Sequence, residues 1–445
     1  MADSVLKRRI YGWMMFDWAS QPYNTLMLTF IFSPYFASAV MDDPAQAQGT
    51  WGLAIGMAGF TMAVLAPILG AMADASGRHL QWIWFFSACY VAGAAATWFA
   101  VPGADSVWPI LVIFCIGLMG MEFATVFTNA MLPGLGNREE IGRISGSGWA
   151  LGYLGGVAAL IVMLTLFAEN EEGKTLIGIA PIFGLDPDMR EGTRFVGPFT
   201  ALWYIVFMIP FFMWVKPVPR AVTTDAVPLG AALRGLGRTI RNLPQYPSFA
   251  AYLGSSMLYR DALNGLYTFG GIYAAGVLGW SPVDIGVFGI LAALTGALFA
   301  WLGGRADSAK GPKPVIIFCI CTLLVVSLLV ITLSPTSVLG FTVPEGSSVP
   351  SIAFYVLGAI IGAAGGALQS SSRTMLVRQA DPKRETEAFG LYALAGKATA
   401  FLAPTLIGVV TLASGSQRIG ILPIAALFTL GLILLIWVKP QGEDR

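Results

Sequence analysis

Apolar residues run through the chain in long blocks, each long enough to form a helix that crosses a membrane. Such a helix needs about 20 predominantly apolar residues. The period-2 alternation typical of membrane barrels does not occur in the sequence. About twelve blocks qualify, at roughly 10–40, 51–73, 80–101, 107–131, 145–168, 197–215, 246–276, 284–303, 314–333, 351–377, 385–412 and 418–438. The pattern predicts an all-α membrane protein with twelve transmembrane helices.

The first block has the flanks of a secretory signal but not its length. Lys7, Arg8 and Arg9 precede it, and Ala37 to Ala39 would suit a cleavage site. A signal peptide carries about 7–15 apolar residues, whereas this block is longer and contains Asp17. We interpret the block as a retained membrane helix.

Positive charges are distributed unevenly between the predicted loops. With the N-terminus inside, 19 of the 26 lysines and arginines lie on the cytoplasmic side and four lie outside. Because cytoplasmic loops carry the excess of Lys and Arg, both termini are predicted to be cytoplasmic. The longest cytoplasmic link, residues 216–245, separates a six-helix bundle of residues 1–215 from a second of residues 246–445. Short loops and the lack of Asn-x-Ser/Thr sites favour a bacterial inner (plasma) membrane.

Composition excludes several classes of protein. The 445 residues are 56% hydrophobic and 11% charged, whereas soluble domains carry about 25% charged residues. A net charge of +1 does not favour binding to nucleic acid. The chain has one histidine, and its four cysteines lie in apolar runs, which supports neither a metal site nor a disulfide framework. The stretch Gly390 to Thr399 departs from the spacing of a phosphate-binding loop. We expect no catalytic residues, no metal, no cofactor and a monomeric chain in the bilayer.

Polar residues within the spans share helix faces, because side chains at i, i+3, i+4 and i+7 lie together. Span one carries Asp17, Ser20, Gln21 and Asn24 at this spacing. The other groups are Glu122, Thr125 and Asn129 in span four, Arg260, Asn264 and Tyr267 in span seven with Asp261 and Thr268 on a neighbouring face, Gln369, Ser372 and Arg373 in span ten, and Lys397 in span eleven.

The ionisable groups within the spans balance in sign. A charge at the bilayer centre costs at least ~2.5–3.5 kcal/mol, so each needs a partner, water or a ligand. The N-terminal half supplies two acids, and the C-terminal half supplies three bases and one acid. A zwitterionic solute would suit such a set, with its carboxylate towards a base and its ammonium towards an acid. The alternative is that the same groups form salt bridges between the halves.

The two halves repeat a loop sequence. "GAMADASGR" contains Gly70, Asp74 and Arg78, and "GGRADSAKGPK" repeats the Ala-Asp pair at Ala306-Asp307. Two similar halves in the same orientation indicate parallel repeats around a site near the membrane midplane. The acid and the basic residue of such a loop can hold one of two conformations. The alternative is an ordinary capped turn.

"GAMADASGR" resembles the loop signature of the major facilitator superfamily. Stretches across both halves, among them "YGWMMFDWASQPYNTLMLTFIFSPYF" and "MLYRDALNGLYTFGGIYAAG", resemble one branch, related to the vacuolar amino-acid effluxer of fungi. One departure is Ser20-Gln21, where the family usually has Asn-Ser. The resemblance implies two pseudo-symmetric six-helix bundles, alternating access, and a central cavity lined by spans one, four, seven and ten.

These observations lead to the hypothesis of a secondary active transporter for a small zwitterionic, amino-acid-like solute, coupled to protons or another ion. Asp17, Glu122 or Asp261 would carry the proton. The predicted substrate contacts are Gln21, Asn24, Glu122, Asn129, Asn264, Tyr267, Arg373 and Lys397. The predicted coupling or gating residues are Asp17, Glu122, Arg260, Asp261, Gly70, Asp74, Arg78 and Asp307. Efflux of amphipathic compounds, a membrane enzyme or a non-transporting receptor are the alternatives, and the direction of transport stays open.

Overall fold

The chain folds into helices along nearly all of the part that the structure, a computed structural model, describes. The described residues are 2–41, 43–76, 79–104, 106–131, 135, 138–215, 241, 243–379, 392, 395–396 and 398–442. Their long helices are α1 (Ala2–Pro22), α2 (Pro44–Ser76), α3 (His79–Ala96), α4 (Trp108–Ala130), α5 (Arg138–Leu166), α6 (Val196–Trp214), α7 (Pro247–Leu278), α8 (Pro282–Lys310), α9 (Pro312–Thr332), α10 (Val349–Gln379), α11 (Leu402–Ser414) and α12 (Leu422–Leu434).

Among the described residues, seven helical stretches are long and apolar enough to cross a membrane, and Leu151–Leu166 and Leu402–Ser414 are shorter apolar segments. Strands Ser337–Val338 and Phe341–Thr342 form a small antiparallel hairpin between α9 and α10. The predicted all-α architecture is therefore confirmed.

The first span changes its helical geometry at a proline. After Pro22 the chain continues as a π-helix over Tyr23–Phe30, a helical turn over Phe32–Tyr35 and a second π-helix over Phe36–Val40. Pro22 has no N–H to donate to the carbonyl of Trp18, four residues earlier. The indole of Trp203 on α6 donates to that carbonyl at 3.2 Å instead. A neighbouring helix thus satisfies the backbone group that the proline leaves free, as a lipid environment requires.

The described chain clusters into two compact units. The first contains Met1–Asp42, Val64–Arg234 and Ser281–Gly286. Within it, α1 packs against α5 and α6, and α3 packs against α4 and α6. Buried aromatic side chains fill the space between these helices, and the rings of Tyr90 and Tyr204 stack at 4.0 Å.

The second unit contains Asp43–Ala63, Gly235–Trp280 and Val287–Arg445. Within it, α7 packs against α10 and α12, and α9 packs against the same two helices. It also includes the first half of α2, so the six-and-six division at residues 216–245 stays a prediction.

Glycines let the first half of α2 approach α11 closely inside this second unit. A Cβ at Gly52 would come within 2.7 Å of the Pro404 carbonyl oxygen and 2.9 Å of the Gly408 Cα. At one end of the contact, the Gln48 amide donates to the Thr411 hydroxyl at 2.9 Å and to the Gln417 carbonyl at 3.1 Å. We call this contact the α2–α11 seam. Its backbones approach closely at the glycines, with little room for interlocking side chains there.

Candidate functional site

The carboxylate of Asp17 lies against a glycine face of α5. A Cβ at Gly148 would come within 2.5 Å of Asp17 Oδ2 and 3.0 Å of the Trp13 ring, and one at Gly152 within 3.2 Å of Asp17 Cβ. Asp17 is half-buried, and within the described part of the chain no hydrogen bond or ion pair reaches its carboxylate. The missing side chains at Gly148 and Gly152 make the room that the carboxylate occupies.

Gln21 and Asn24 continue the polar face of the first span. Gln21 lies beside Gly156 of α5, where an added Cβ would meet its Cγ at 2.9 Å. The Asn24 amide lies 3.8 Å from the sulfur of Met121 on α4, and the Thr125 hydroxyl lies at the same distance from that sulfur. Sulfur is a weak acceptor, so neither polar group is strongly engaged by this contact.

The remaining predicted residues of span four differ in their burial. Glu122 is half-buried on α4, one residue after Met121. Asn129 is exposed in the last turn of the same helix. The first unit therefore holds two half-buried acids within its membrane helices, Asp17 on α1 and Glu122 on α4.

The guanidinium of Arg260 is engaged by the chain that leads into α11. Its Cζ lies 4.2 Å from the centroid of the Tyr392 ring, and Nη1 donates to the Tyr392 carbonyl at 3.1 Å. An added Cβ at Gly396 would collide with the same guanidinium at 2.7 Å. A cation over an aromatic face gains about 0.5–2 kcal/mol, more when it is desolvated. The structure thus gives Arg260 a tethering contact that the sequence did not predict.

The carboxylate of Asp261 serves the first turn of α11. Oδ2 accepts from the backbone N–H of Ala403 at 2.8 Å, and the residue is only 2% exposed. The first N–H groups of a helix have no partner within the helix, and a carboxylate there is also favoured by the helix dipole. Oδ1 is buried, and no hydrogen bond reaches it among the described residues. Asp261 therefore caps α11 from a different helix.

The other predicted contacts of the second unit lie on α7 and α10. Asn264 and Arg373 have exposed side chains, and Tyr267 is half-buried with its hydroxyl against Gly365. Next to Arg373, the carbonyl of Ser372 accepts a hydrogen bond from the Tyr252 hydroxyl. The Ser372 hydroxyl shares a 2.8 Å hydrogen bond with the Tyr259 hydroxyl. These tyrosines fix the α10 backbone at the position of Arg373.

The repeated loop sequence is only partly described. Gly70 and Asp74 belong to α2, but their side-chain surroundings, like Arg78 and Lys397 altogether, lie outside the described residues. In the second copy, Asp307 is 3% exposed, and its Oδ1 accepts from the Ser371 hydroxyl at 2.7 Å. Asp307 therefore joins the end of α8 to α10.

Another buried acid, Glu169, lies outside the spans, in the loop that follows α5. Glu169 accepts from both the backbone N–H and the hydroxyl of Thr193 at 2.9 Å, and Arg190 Nε lies 3.5 Å away. Burial raises the pKa of Glu169 above its ordinary value, although these donors oppose the shift. The neighbouring Arg194 donates to the Trp98 carbonyl at 2.7 Å. The loop that follows α5 is thus tied down by buried charges.

The structure groups the predicted residues differently from the helical faces alone. Asp17 and Gln21 both face the glycines of α5, whereas Arg260 contacts Tyr392 and Asp261 contacts Ala403. Sequence reasoning missed Tyr392 and Met121 as partners. A signal existed for the α5 face, since its three glycines, Gly148, Gly152 and Gly156, recur every four residues. No spacing rule connects Arg260 to Tyr392, which lies 132 residues later.

The fold is that of the major facilitator superfamily. The fold is similar to the crystal structure of a D-xylose–proton symporter, with a TM-score of 0.66, 12% identity, and coverage of 99% of this chain and 98% of that one. A second similar structure is that of the nucleoside transporter NupG, with a TM-score of 0.61, 14% identity, and coverage of 97% of this chain and 98% of that one. The predicted twelve-helix fold is therefore confirmed.

The chain belongs to the vacuole effluxer Atg22-like family, whose profile matches residues 52–443. It is 23% identical over 443 residues to the uncharacterized MFS-type transporter YxiO of Bacillus subtilis (strain 168), covering 97% of this chain and 94% of that protein. It is 25% identical over 321 residues to autophagy-related protein 22 of Coccidioides immitis (strain RS), covering 68% of this chain and 49% of that protein. The match thus spans about half of the fungal relative. Family membership confirms the prediction of a transporter and not an enzyme.

Proposed function

We propose that the protein carries a small zwitterionic, amino-acid-like solute across a bacterial inner membrane by alternating access, with a proton moving alongside. The observation that carries the proposal is Asp17, a carboxylate inside a membrane helix without a hydrogen bond from the described residues. A charged group in that position is costly and is most often functional. A bound cation or a proton would remove the cost.

The polar face that continues from Asp17 supports a small polar solute. Gln21 and Asn24 offer amide groups to a ligand, and the Asn24 amide contacts the weak acceptor Met121. An ammonium group would be drawn to Asp17 or Glu122. A carboxylate would be drawn to Arg373, whose side chain is exposed, or to Lys397. Asn129, Asn264 and Tyr267 complete the proposed set of contacts.

The contacts of the candidate acids indicate which of them could carry the proton. Asp261 is engaged by the N-terminus of α11, which supports a structural role for that carboxylate. We therefore assign coupling to Asp17 and Glu122. Protonation would neutralise either acid, weaken an ion pair that it forms with a base in one of the two conformations, and so bias the two conformations differently.

The α2–α11 seam supports the alternating-access step. If residues 1–215 and 246–445 move as two halves, α2 and α11 belong to opposite halves and must separate when the outer side opens. A contact made by glycines and by the Gln48 hydrogen bonds has few side chains to disentangle. When the outer side is open, the two halves would meet at the cytoplasmic side instead. Asp307, with Gly70, Asp74 and Arg78, would stabilise that contact.

The proposed topology places both termini in the cytoplasm and the solute moving inward. The distribution of lysine and arginine supports that orientation. Release from a vacuole, the activity in the family's name, runs towards the cytosol, as uptake does in a bacterium.

Uptake into proteoliposomes tests the proposal. Liposomes containing the purified chain receive a radiolabelled mixture of the twenty amino acids, with and without an outside-acid pH gradient. We expect accumulation only with the gradient, and a fall of at least about fivefold in Asp17→Asn and in Glu122→Gln. Uptake that ignores the gradient and is unchanged in both variants contradicts the coupling.

A thermal-shift screen identifies the class of solute. The purified chain is heated with single amino acids, betaines or organic acids, since any ligand that binds only the folded state raises the unfolding temperature. We expect a stabilising amino acid or betaine. Stabilisation by amphipathic cations alone would contradict the zwitterion and favour efflux of amphipathic compounds.

A further inference from the structure

The second unit has a basic cavity at the end of α9, beside the repeated loop that contains Asp307. Its volume is about 600 Å³, within the range of sites that hold small ligands. Its lining is contributed by the turn between α8 and α9, the end of α10 and the chain that follows α12. The lining residues are Lys310, Gly311, Lys313, Pro314, Ile317, Phe318, Cys321, Arg378, Pro440 and Gln441.

Three cations line this cavity, and no carboxylate does among the described residues. Lys313 Nζ donates one hydrogen bond to the Val438 carbonyl at 2.6 Å, so its ammonium is fixed in place with further N–H donors left over. The Arg378 guanidinium lies over Gly311, where a Cβ would approach Nη1 to 3.1 Å. Gly311 also has a φ of +81°, which favours glycine. The turn therefore positions Arg378 and Lys313 on one cavity.

The part of the lining that follows α12 is held by hydrogen bonds. The Gln379 amide donates to the Lys439 carbonyl at 2.6 Å, and the Ser248 hydroxyl donates to Gln379 Oε1 at 2.7 Å. The Lys439 N–H donates back to the Ser248 hydroxyl at 2.8 Å. These bonds anchor the chain after α12, so Pro440 and Gln441 form a built wall of the cavity.

The other end of the cavity opens along an apolar face of α9. Ile317, Phe318 and Cys321 line it, and the Phe318 side chain is 71% exposed. Val325 and Leu328 extend the exposed apolar surface along the same helix. Exposed apolar side chains on a membrane-spanning helix face lipid. A ligand in this cavity would therefore meet three positive charges at one end and hydrocarbon at the other.

We propose that this cavity binds the phosphate-bearing headgroup of an anionic phospholipid, with an acyl chain lying along Phe318. The combination of charge and apolar surface fits an amphiphile better than a soluble anion. Lys310 and Lys313 lie at the end of their helices that the positive-inside pattern assigns to the cytoplasm, where the leaflet carries anionic lipid. The site is independent of the identity of the transported solute.

Native mass spectrometry of the full chain with added phosphatidylglycerol tests the proposal. Each lysine or arginine near an anionic surface adds about fivefold in affinity, so Lys310→Gln with Arg378→Gln should weaken binding roughly thirtyfold. The matched control is Arg8→Gln with Arg241→Gln, which removes the same charge from exposed residues outside the cavity and should leave binding unchanged. Phosphatidylcholine should bind the wild-type chain no better than the cavity variant binds phosphatidylglycerol.

Two further experiments distinguish binding of the lipid from binding of a soluble anion. Phe318→Ser shortens the apolar face and should weaken phosphatidylglycerol binding while the chain stays folded, because the side chain is exposed. Excess inorganic phosphate should not displace the lipid. Equal loss of binding in the cavity and control variants, an unchanged affinity in Phe318→Ser, or displacement by phosphate would each overturn the proposal.

Discussion

Asp17 and Asp261 are both aspartates within membrane helices, but they differ in burial and in hydrogen bonding. Asp261 is almost fully buried and accepts a hydrogen bond from the first turn of α11. Asp17 is half-buried, lies against the glycines of α5, and receives no hydrogen bond from the described residues. An acid in an apolar helix therefore has a structural role when a helix end supplies its hydrogen-bond donor. Without such a donor, its charge is available to a ligand or a proton.

Neutralising Asp17 should have the largest effect on transport. Asp17→Asn keeps the shape but cannot exchange a proton, and coupling free energies between two ligands typically amount to about 5- to 150-fold in binding. We expect gradient-driven uptake to fall by a factor in that range while the unfolding temperature stays within the wild-type range. A variant that unfolds instead would show that Asp17 is structural and would remove the contrast with Asp261.

Removing the cap should have the largest effect on stability. Asp261→Leu leaves the Ala403 N–H buried without an acceptor, which costs about 1–3 kcal/mol. Asp261→Asn retains an acceptor oxygen and serves as the matched control. Thermal unfolding in detergent should show a clear loss for leucine and a small one for asparagine. Equal losses would mean that the carboxylate charge, and not the hydrogen bond, holds α11.

Filling the space beside Asp17 should destabilise the chain by an amount of the same order. A methyl group at Gly148 would lie 2.5 Å from Asp17 Oδ2, and overpacking of this kind costs about 1–3 kcal/mol. Gly270→Ala on α7 is the control, because an added Cβ there meets nothing within 4 Å. We expect Gly148→Ala to lower both the unfolding temperature and uptake. Identical behaviour of the two variants would show that the α1–α5 contact is loose.

The Arg260–Tyr392 contact should contribute about 0.5–2 kcal/mol, the usual range of a cation over an aromatic ring. A double-mutant cycle with Arg260→Gln and Tyr392→Leu, read by thermal unfolding, isolates this pairwise energy. A coupling energy near zero would leave Arg260 available to act on the solute.

Glu169 extends the comparison to an acid outside the membrane, with the smallest expected effect. Because burial raises its pKa in the folded chain, the folded state binds more protons than the unfolded one just above pH ~4.3. The free energy of unfolding should therefore fall as the pH rises through this window. The slope should flatten in Glu169→Gln, which cannot take up this proton. A rise in stability with pH would mean that Arg190 outweighs the burial.

The sequence alone predicted the helices and the polar faces, because apolar length and helical periodicity are local properties. Gln21 and Asp17 both contact the glycine face of α5, as their i, i+4 spacing predicts. The contrast between Asp17 and Asp261 was not predictable. It depends on whether a helix end from a distant part of the chain lies beside the carboxylate, as Ala403 does for Asp261. The contact between Arg260 and Tyr392 was not predictable either, because the position of Arg260 beside Asp261 in the sequence does not indicate it.

A direct measurement of proton movement tests whether Asp17 carries the coupled proton. Proteoliposomes loaded with a pH-sensitive dye receive an amino-acid mixture on the outside, and acidification of the lumen is recorded. We expect acidification with the wild-type chain and with Asp261→Asn, and none with Asp17→Asn. Acidification that persists in Asp17→Asn, or that is lost in Asp261→Asn while the protein stays folded, would contradict the assignment of coupling to Asp17.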